Sequence, residues 1–281
     1  MKQPSASQII AATLLAAMAL LVVAVPLLPG YDPYGQNLAG SLVPIGKSSF
    51  DGHFYPLGSD TLGRDILSRL ALAGQVSILI GISAVLVSLV IGVLLGLIAG
   101  YFRGPVEAVI MGLADLQLSI PRVLLLIAVA AVMGTGVVKL AILLGLTSWV
   151  TYGRVARAMA LSLREREFVL AAVTQGASAT WNIRKHLLPN VLPQVLIVGS
   201  FELGQIIVLE SALSYLGLGV QPPLASWGLM VSDGQTYLEL DPWLSVLPSI
   251  ALFLLVAGIQ ILSQSFTLEN DTSTELAKAS G

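Results

Sequence analysis

Cysteine is absent from all 281 residues, which excludes a disulfide framework, a thiolate metal site and a cysteine nucleophile. Charge is nearly as scarce, with 11% Asp, Glu, Lys and Arg against roughly a quarter in a soluble domain. Histidine occurs only as His53 and His186, and no H-E-x-x-H zinc signature is present. The serine of Gly81-Ile-Ser83 has no histidine in any apolar run to act as its base. No catalytic residue and no metal ligand is expected. What the chain has in quantity is apolar side chain: 56% hydrophobic residues and a mean hydropathy of +0.87. Its apolar runs are about 20 residues long, enough to cross ~30 Å of hydrocarbon at 1.5 Å per residue. The fold class read from this is an all-α polytopic membrane protein.

Six transmembrane helices are predicted, at 9–28, 76–100, 109–133, 138–155, 191–213 and 244–263. The first is closed by Pro26 and Pro29 and is too long for a secretory signal core, so it reads as a retained anchor. The third is impure, holding Asp115, Gln117, Pro121 and Arg122. Basic residues orient the set, because Lys and Arg near span ends stay cytoplasmic. Between 154 and 186 lie six basic residues and two acidic ones, a net of +4. The loop before the last span holds Asp233, Glu239 and Asp241 without a Lys or Arg, a net of −3, and the first loop (31–75) nets −1. Both termini and the Arg-rich loop are therefore expected inside, with the acidic loops outside and Trp243 at the outer interface. Ser88, Gly92, Gly96, Gly100 and Gly104 recur every four residues. Small residues at that spacing allow close helix packing in lipid, either within the chain or against a second subunit.

The segment 41–48, Ser-Leu-Val-Pro-Ile-Gly-Lys-Ser, imitates a phosphate-binding loop. Its first glycine is displaced to Gly40, and no strand-then-helix frame aims backbone N–H groups at a phosphate, so no nucleotide site is expected. More informative is 166–189. It reads as a helix to Gln175, with Phe168, Ala171, Ala172 and Gln175 on one side, then a stop at Gly176. A second short helix through Trp181 follows, and Pro189 opens the next span. A helix–glycine–helix elbow of this kind makes a rigid docking knob.

This stretch resembles the cytoplasmic EAA loop of ABC importer permeases, whose pattern is E-A-A, three residues, G, nine residues, I-x-L-P. Ala171, Ala172, Gly176, Leu188 and Pro189 match it, while Leu170 stands for the Glu and His186 for the Ile. Glu167, one turn earlier, can substitute for the missing carboxylate. Residues 57–70 (Leu-Gly-Ser-Asp-Thr-Leu-Gly-Arg-Asp-Ile-Leu-Ser-Arg-Leu) look like the outer signature of the dipeptide, oligopeptide and nickel permease family. Residues 210–219 (Glu-Ser-Ala-Leu-Ser-Tyr-Leu-Gly-Leu-Gly), followed by Pro222 to Gly228, resemble a second signature of that family. Gln75, where the family usually has Arg, and Arg122 depart from the pattern. The order of elements is that of the second, shorter permease of each pair.

The resemblance implies the ABC type I importer (MetI-like) permease fold. Residues 1–75 would form an anchor plus an external amphipathic segment, with Ser59, Asp60 or Thr61 as its cap, Ile66, Leu67 and Leu70 as its apolar stripe, and Arg64, Asp65 and Arg69 polar. Residues 76–266 would form a five-helix core with a coupling loop at 158–190, and 267–281 a short cytoplasmic tail. The implied partners are a homologous permease subunit (a heterodimer), two cytoplasmic ATPases that use ATP and Mg, an extracytoplasmic substrate-binding protein and the bilayer of a bacterial inner membrane, with no nucleic acid. The subunit itself would bind no cofactor. Glu167, Ala171, Ala172, Gly176, Trp181, Leu188 and Pro189 are the ATPase-coupling residues so implied, and cargo would be peptides, nickel or metal chelates, or glutathione-like molecules. The alternative is a secondary transporter driven by an ion gradient, which would carry inverted repeats and broken helices. Separately, Arg122 and Glu202 are ionisable residues at similar depths, ~20 and ~17 Å from the cytoplasmic span ends at 1.5 Å per residue. An isolated charge at such depth is costly, so the two can meet, on the translocation path or as an internal structural pair; the alternative is an Arg122 that sits in a kink at Pro121 and never meets Glu202.

Overall fold

The computed structural model describes residues 5–279, with side chains as far as Ser265. Ten α-helices are defined among the described residues, joined by two π-turns, two short 3-10 turns and one small hairpin. Four helical runs are long and apolar enough to cross a membrane: Ala6–Leu27, Ile66–Phe102, Ala179–Tyr215 and Trp243–Ser265. Helix α1 (Ala6–Ala19) starts with a capping box in which Ser5 and Gln8 satisfy each other's backbone N–H groups, and a π-turn and a 3-10 turn carry it on to Leu27. Helix α2 (Ile66–Phe102) is 37 residues long and ends at Arg103, a residue with φ 55°.

The expected third span does not stand as one rod. Helices α3 (Gly104–Leu118) and α4 (Arg122–Met133) meet at 91° and count as a fifth span only if taken together. Pro121 is the cause: it donates no N–H and drives the preceding residue out of the helical region. The expected fourth span lies in α5 (Val137–Arg164). Its apolar character is diluted by Lys139, Thr147, Ser148, Trp149 and Tyr152, and its place is set by packing along α2 instead.

Two further boundaries move. The signature at 57–70 is not a separate amphipathic helix. Asp65 caps α2 by accepting from the Ser68 N–H at 2.8 Å and the Ser68 hydroxyl at 2.6 Å, so the boundary expected at residue 75 falls inside one continuous helix. Ser59, Asp60 and Thr61 instead shape the loop before it, and Arg69 is buried at 3% exposure. The entry expected at Pro189 is likewise no helix start. Helix α7 (Ala179–Asn182) passes through a π-turn (Ile183–Leu187) into α8 (Leu188–Tyr215), the wider turn absorbing the donor that Pro189 lacks. Helix α9 (Trp227–Gln235) packs on α8 and α10 (Trp243–Ala279), and α1 lies along α10.

The Gly stripe decides how the bundle closes. Gly92, Gly96 and Gly100 press α2 onto α5: a Cβ on Gly96 would sit 2.4 Å from the Gly153 carbonyl oxygen, and one on Gly92 2.5 Å from that of Trp149. The stripe is therefore internal packing, not the face of a second subunit. Gly104 is not part of it; it lies past the helix end at φ +58° in open space. Gly96→Leu is expected to cost about 3 kcal/mol, the upper end of the overpacking range. Gly112→Ala, which meets nothing within 4 Å, should be neutral or stabilising by up to about 1 kcal/mol. Thermal unfolding of the purified variants by tryptophan fluorescence distinguishes the two, and equal midpoints would remove the stripe from its role.

Candidate functional site

At the end of the bundle where α2 finishes, α6 (Glu167–Thr174) leaves α5 and folds back as the elbow. Its stop is a complete Schellman motif: the Ala177 N–H bonds the Ala172 carbonyl and the Gly176 N–H that of Val173, both at 3.0 Å, with Gly176 at φ +85°. Ser178 then caps α7 by accepting from the Trp181 N–H. Val169 and Leu187 are fully buried in a cluster with Ala160, Val191 and Leu97, so the elbow is seated by its inner face. Its outer face is apolar and bare: Phe168, Leu170, Val173 and Trp181 are each about half exposed. The His186 ring lies 5.4 Å from Phe168 and 5.0 Å from Trp181, holding these aromatic side chains together. Glu167, Ala171, Gly176 and Pro189 are exposed as well, and Ala172 and Leu188 partly so. Glu167 sits in the first turn of α6, where the helix dipole favours a carboxylate.

Contacts that spacing alone did not reveal tie this elbow to α2 and α5. Asn182 is buried and donates through Nδ2 to the Tyr101 hydroxyl at 3.3 Å. The Arg164 guanidinium donates to the Tyr101 carbonyl and lies 5.6 Å over its ring, and Arg103 pairs with Glu165 at 2.5 Å. A displacement of α7 is thus felt at the last turn of α2. Two more ion pairs, Arg157–Glu107 and Arg154–Asp115, join α5 to α3.

Arg122 and Glu202 are brought together. Arg122 Nη2 lies 3.7 Å from Glu202 Oε2 and also donates to the Ser148 hydroxyl, so α4, α5 and α8 share one polar junction. Pro121 places Arg122 in the first turn of α4, beside the break. The junction is not saturated: Arg122 Nε and Glu202 Oε2 are buried without hydrogen-bond partners.

The stretch 210–228 has a structural role. Glu210, fully buried, accepts from Ser214 at 2.8 Å and Ser211 at 3.3 Å, and Ser214 in turn accepts from the Val220 N–H. Gly228 abuts the backbone of Ser211, and Trp227 donates from its indole to the Leu70 carbonyl at 3.1 Å. Together they clamp α9 against α8 and the start of α2. The segment imitating a phosphate loop forms the hairpin Lys47–Ser48 with Phe54–Tyr55, without a helix after it.

A bundle of apolar helices with an exposed, glycine-stopped elbow at one end has the architecture of a polytopic membrane permease. The family model described as "binding-protein-dependent transport system inner membrane component" matches residues 92–267, and the chain belongs to that family, the permease subunits of ABC importers. It is 34% identical over 238 residues to the oligopeptide transport system permease protein OppC of Haemophilus influenzae, covering 84% of this chain and 76% of that one. It is 34% identical over 250 residues to the probable D,D-dipeptide transport system permease protein DdpC of Escherichia coli, covering 89% and 82%. The glutathione transport system permease protein GsiD of Pectobacterium atrosepticum is 35% identical over 206 residues, covering 73% and 68%. Among solved structures, a chain of the inward-facing MetNI methionine ABC transporter superimposes with a TM-score of 0.56 at 17% identity, covering 70% of this chain and 94% of that one. The fold is thus MetI-like. The protein is a multi-pass inner-membrane permease of an importer that works with ATPase and binding-protein partners; it is not an enzyme, and the secondary-transporter alternative is set aside.

The junction between α4 and α8 yields a test. Arg122→Leu or Glu202→Leu alone strands the opposite charge and should destabilise by about 3 kcal/mol, the low end for a buried pair, whereas the double variant should cost much less. A double-mutant cycle on thermal unfolding measures the coupling, and additive losses would dissolve the pair.

Proposed function

We propose that this chain is the second permease of a heterodimer that imports short peptides across a bacterial inner membrane, its elbow seated in one of two cytoplasmic ATPases. The bare apolar face of the elbow, Phe168, Leu170, Val173 and Trp181, is the observation that carries this reading. Such side chains at the rim of a membrane protein gain stability only when a partner covers them. ATP and Mg act on the ATPases; this chain contributes no group to that chemistry. Closure of the ATPase pair pushes α6 and α7, and the push reaches α2 through Asn182 and Tyr101 and α5 through Arg164 and Glu165. The permease pair then rocks, and cargo crosses at its interface. Arg122 and Glu202 lie on that route, where they bias which charged cargo passes. Peptides are the cargo class that the named relatives favour.

The basic residues of the elbow end, against the acidic loop holding Asp233, Glu239 and Asp241, support a cytoplasmic position for it. In a chain with no cysteine of its own, Arg166→Cys should escape a membrane-impermeant thiol reagent in intact cells and Asp233→Cys should react. The reverse labelling would invert the topology. Coupling is tested at Gly176, where a β-branched residue at positive φ carries about 1–3 kcal/mol of strain. Gly176→Val should insert and support ATP hydrolysis in the reconstituted complex, yet lower peptide uptake by about tenfold or more at that strain. Gly176→Asn, which tolerates the left-handed cap, should retain uptake. Wild-type uptake with Gly176→Val would remove the elbow from the coupling route.

A further inference from the structure

At the opposite end of the bundle from the elbow, the loop before α2 and helix α9 line an open cleft of about 710 Å³, a size typical of small-molecule sites. Arg64 and Arg69, from the loop and the start of α2, line it together with Asp233 of α9. Arg69 is 3% exposed, and its Nη1 has no hydrogen-bond partner. Its only ion pair among the described residues is with Asp60, Nε to Oδ2 at 3.5 Å. Asp60 is already heavily committed: it accepts from the Arg64 Nε at 2.6 Å and from the backbone N–H groups of Leu62 and Arg64. One carboxylate is thus shared by two guanidiniums, and that wall is left positive. Asp233 feels the field of Arg69 and Arg64 across the space, yet among the described residues it forms an ion pair with neither. Tyr34, Tyr237, Met230 and Leu244 give the lining apolar surface, and Gln36, Thr61, Ser232 and Thr236 add polar groups to it.

Two guanidiniums that share Asp60, with a second carboxylate, Asp233, in the same cleft and apolar surface between, match a ligand that carries both charges and a side chain. A lone anion would be repelled by Asp233, and a lone cation by the arginines. We propose that this cavity binds the zwitterion of a short peptide, with the carboxylate at Arg69 and Arg64 and the ammonium at Asp233. The inference deepens the peptide-importer reading and rests on it. It makes the outer mouth of the permease a reception site, distinct from Arg122 and Glu202 deeper in the bundle. The rigid loop suits the task. Gly63, φ +70°, packs so closely that a Cβ would lie 1.7 Å from the Asn37 carbonyl oxygen, and the Tyr55 hydroxyl donates to the Gly63 carbonyl at 3.0 Å. Arg64 and Asp60 are therefore held in place before any ligand arrives.

The test uses the permease pair with its ATPases in lipid nanodiscs, without the binding protein, and glycyl-phenylalanine as the probe. Isothermal titration should show the free dipeptide binding, with at least a tenfold loss on N-acetylation and again on C-terminal amidation. Among the described residues Asp233 forms no ion pair within 4.0 Å, and Asn is close to it in size, so Asp233→Asn should fold normally. It should erase the penalty for N-acetylation while keeping that for amidation. Arg69→Lys, which retains the charge, should keep part of the preference for the free carboxylate, and Arg69→Gln should lose it. Equal binding of the free and doubly blocked dipeptide, or no binding by the wild-type complex, would overturn the site. So would a weakened grip on the binding protein by Asp233→Asn with unchanged probe selectivity, which would make the cavity a protein-docking surface. Uptake into proteoliposomes with the binding protein separates the two levels. A wild-type complex that imports peptide but fails the probe test refutes the site alone, and one that imports no peptide refutes the functional reading.

Discussion

The close approach of α2 to α5 is the constraint on which the remaining architecture rests. Three glycines on α2 let the backbones touch at Gly153, Trp149 and Arg157. In lipid no hydrophobic force draws two apolar helices together, so dispersion at this density has to supply the attachment. Once the two helices are fixed side by side, their ends are fixed too. At one end this brings Tyr101 and Arg103 to Arg164 and Glu165, which makes a seat for the elbow. At the other, the start of α2 meets Trp227 through the Leu70 carbonyl and so positions α9.

Charge is distributed accordingly. Most of the ion pairs among the described residues join different elements: α5 to α3, α4 to α8, and the connection before α3 to the end of α5. A pair of this kind fixes register without demanding close backbone contact. It suits the α3–α4 limb, which the break at Pro121 bends by 91° and whose apolar residues Val109, Leu113 and Leu116 are left exposed. The limb adds Ala114, Leu126 and Ala130 to the packed core, and these ion pairs fix where its remaining, exposed length lies.

Legibility from the sequence followed the range of the interaction. Gly176 was readable because a Schellman stop is decided within six residues, and Arg122 could be matched with Glu202 because regular helices turn residue number into depth. The cap of α2 was not readable. Ser59, Asp60 and Thr61 have the same capping chemistry as Asp65, but Ser59 is taken up by Gly40 and Val43 and Asp60 by Leu62 and Arg64. The glycine stripe was visible as a periodicity, but its partner was not, since small residues serve an internal helix and a second subunit equally well. The pairing of Asn182 with Tyr101 spans 81 positions, and nothing local marks either residue. The break at Pro121 was announced by the proline, but its 91° angle was not.

The uninterrupted course of α2 has a mechanical consequence. At 37 residues it is about 55 Å long at 1.5 Å per residue, longer than the ~40–45 Å of a bilayer with its headgroups, so one helix has the length to reach from one side of the membrane to the other. No proline and no π-turn interrupts it. Such a rod works as a lever with its fulcrum at the glycine contact. A rotation of about 15°, the size seen when subunits repack, would carry the Ile66 end sideways by about 12 Å and the Phe102 end by about 2 Å the other way, since the arms from Gly96 are about 45 Å and about 9 Å long. Asp65 and Arg69 ride on one arm and Tyr101 on the other, so a single stiff body can report events on one side of the membrane to the other without any chemical relay between them.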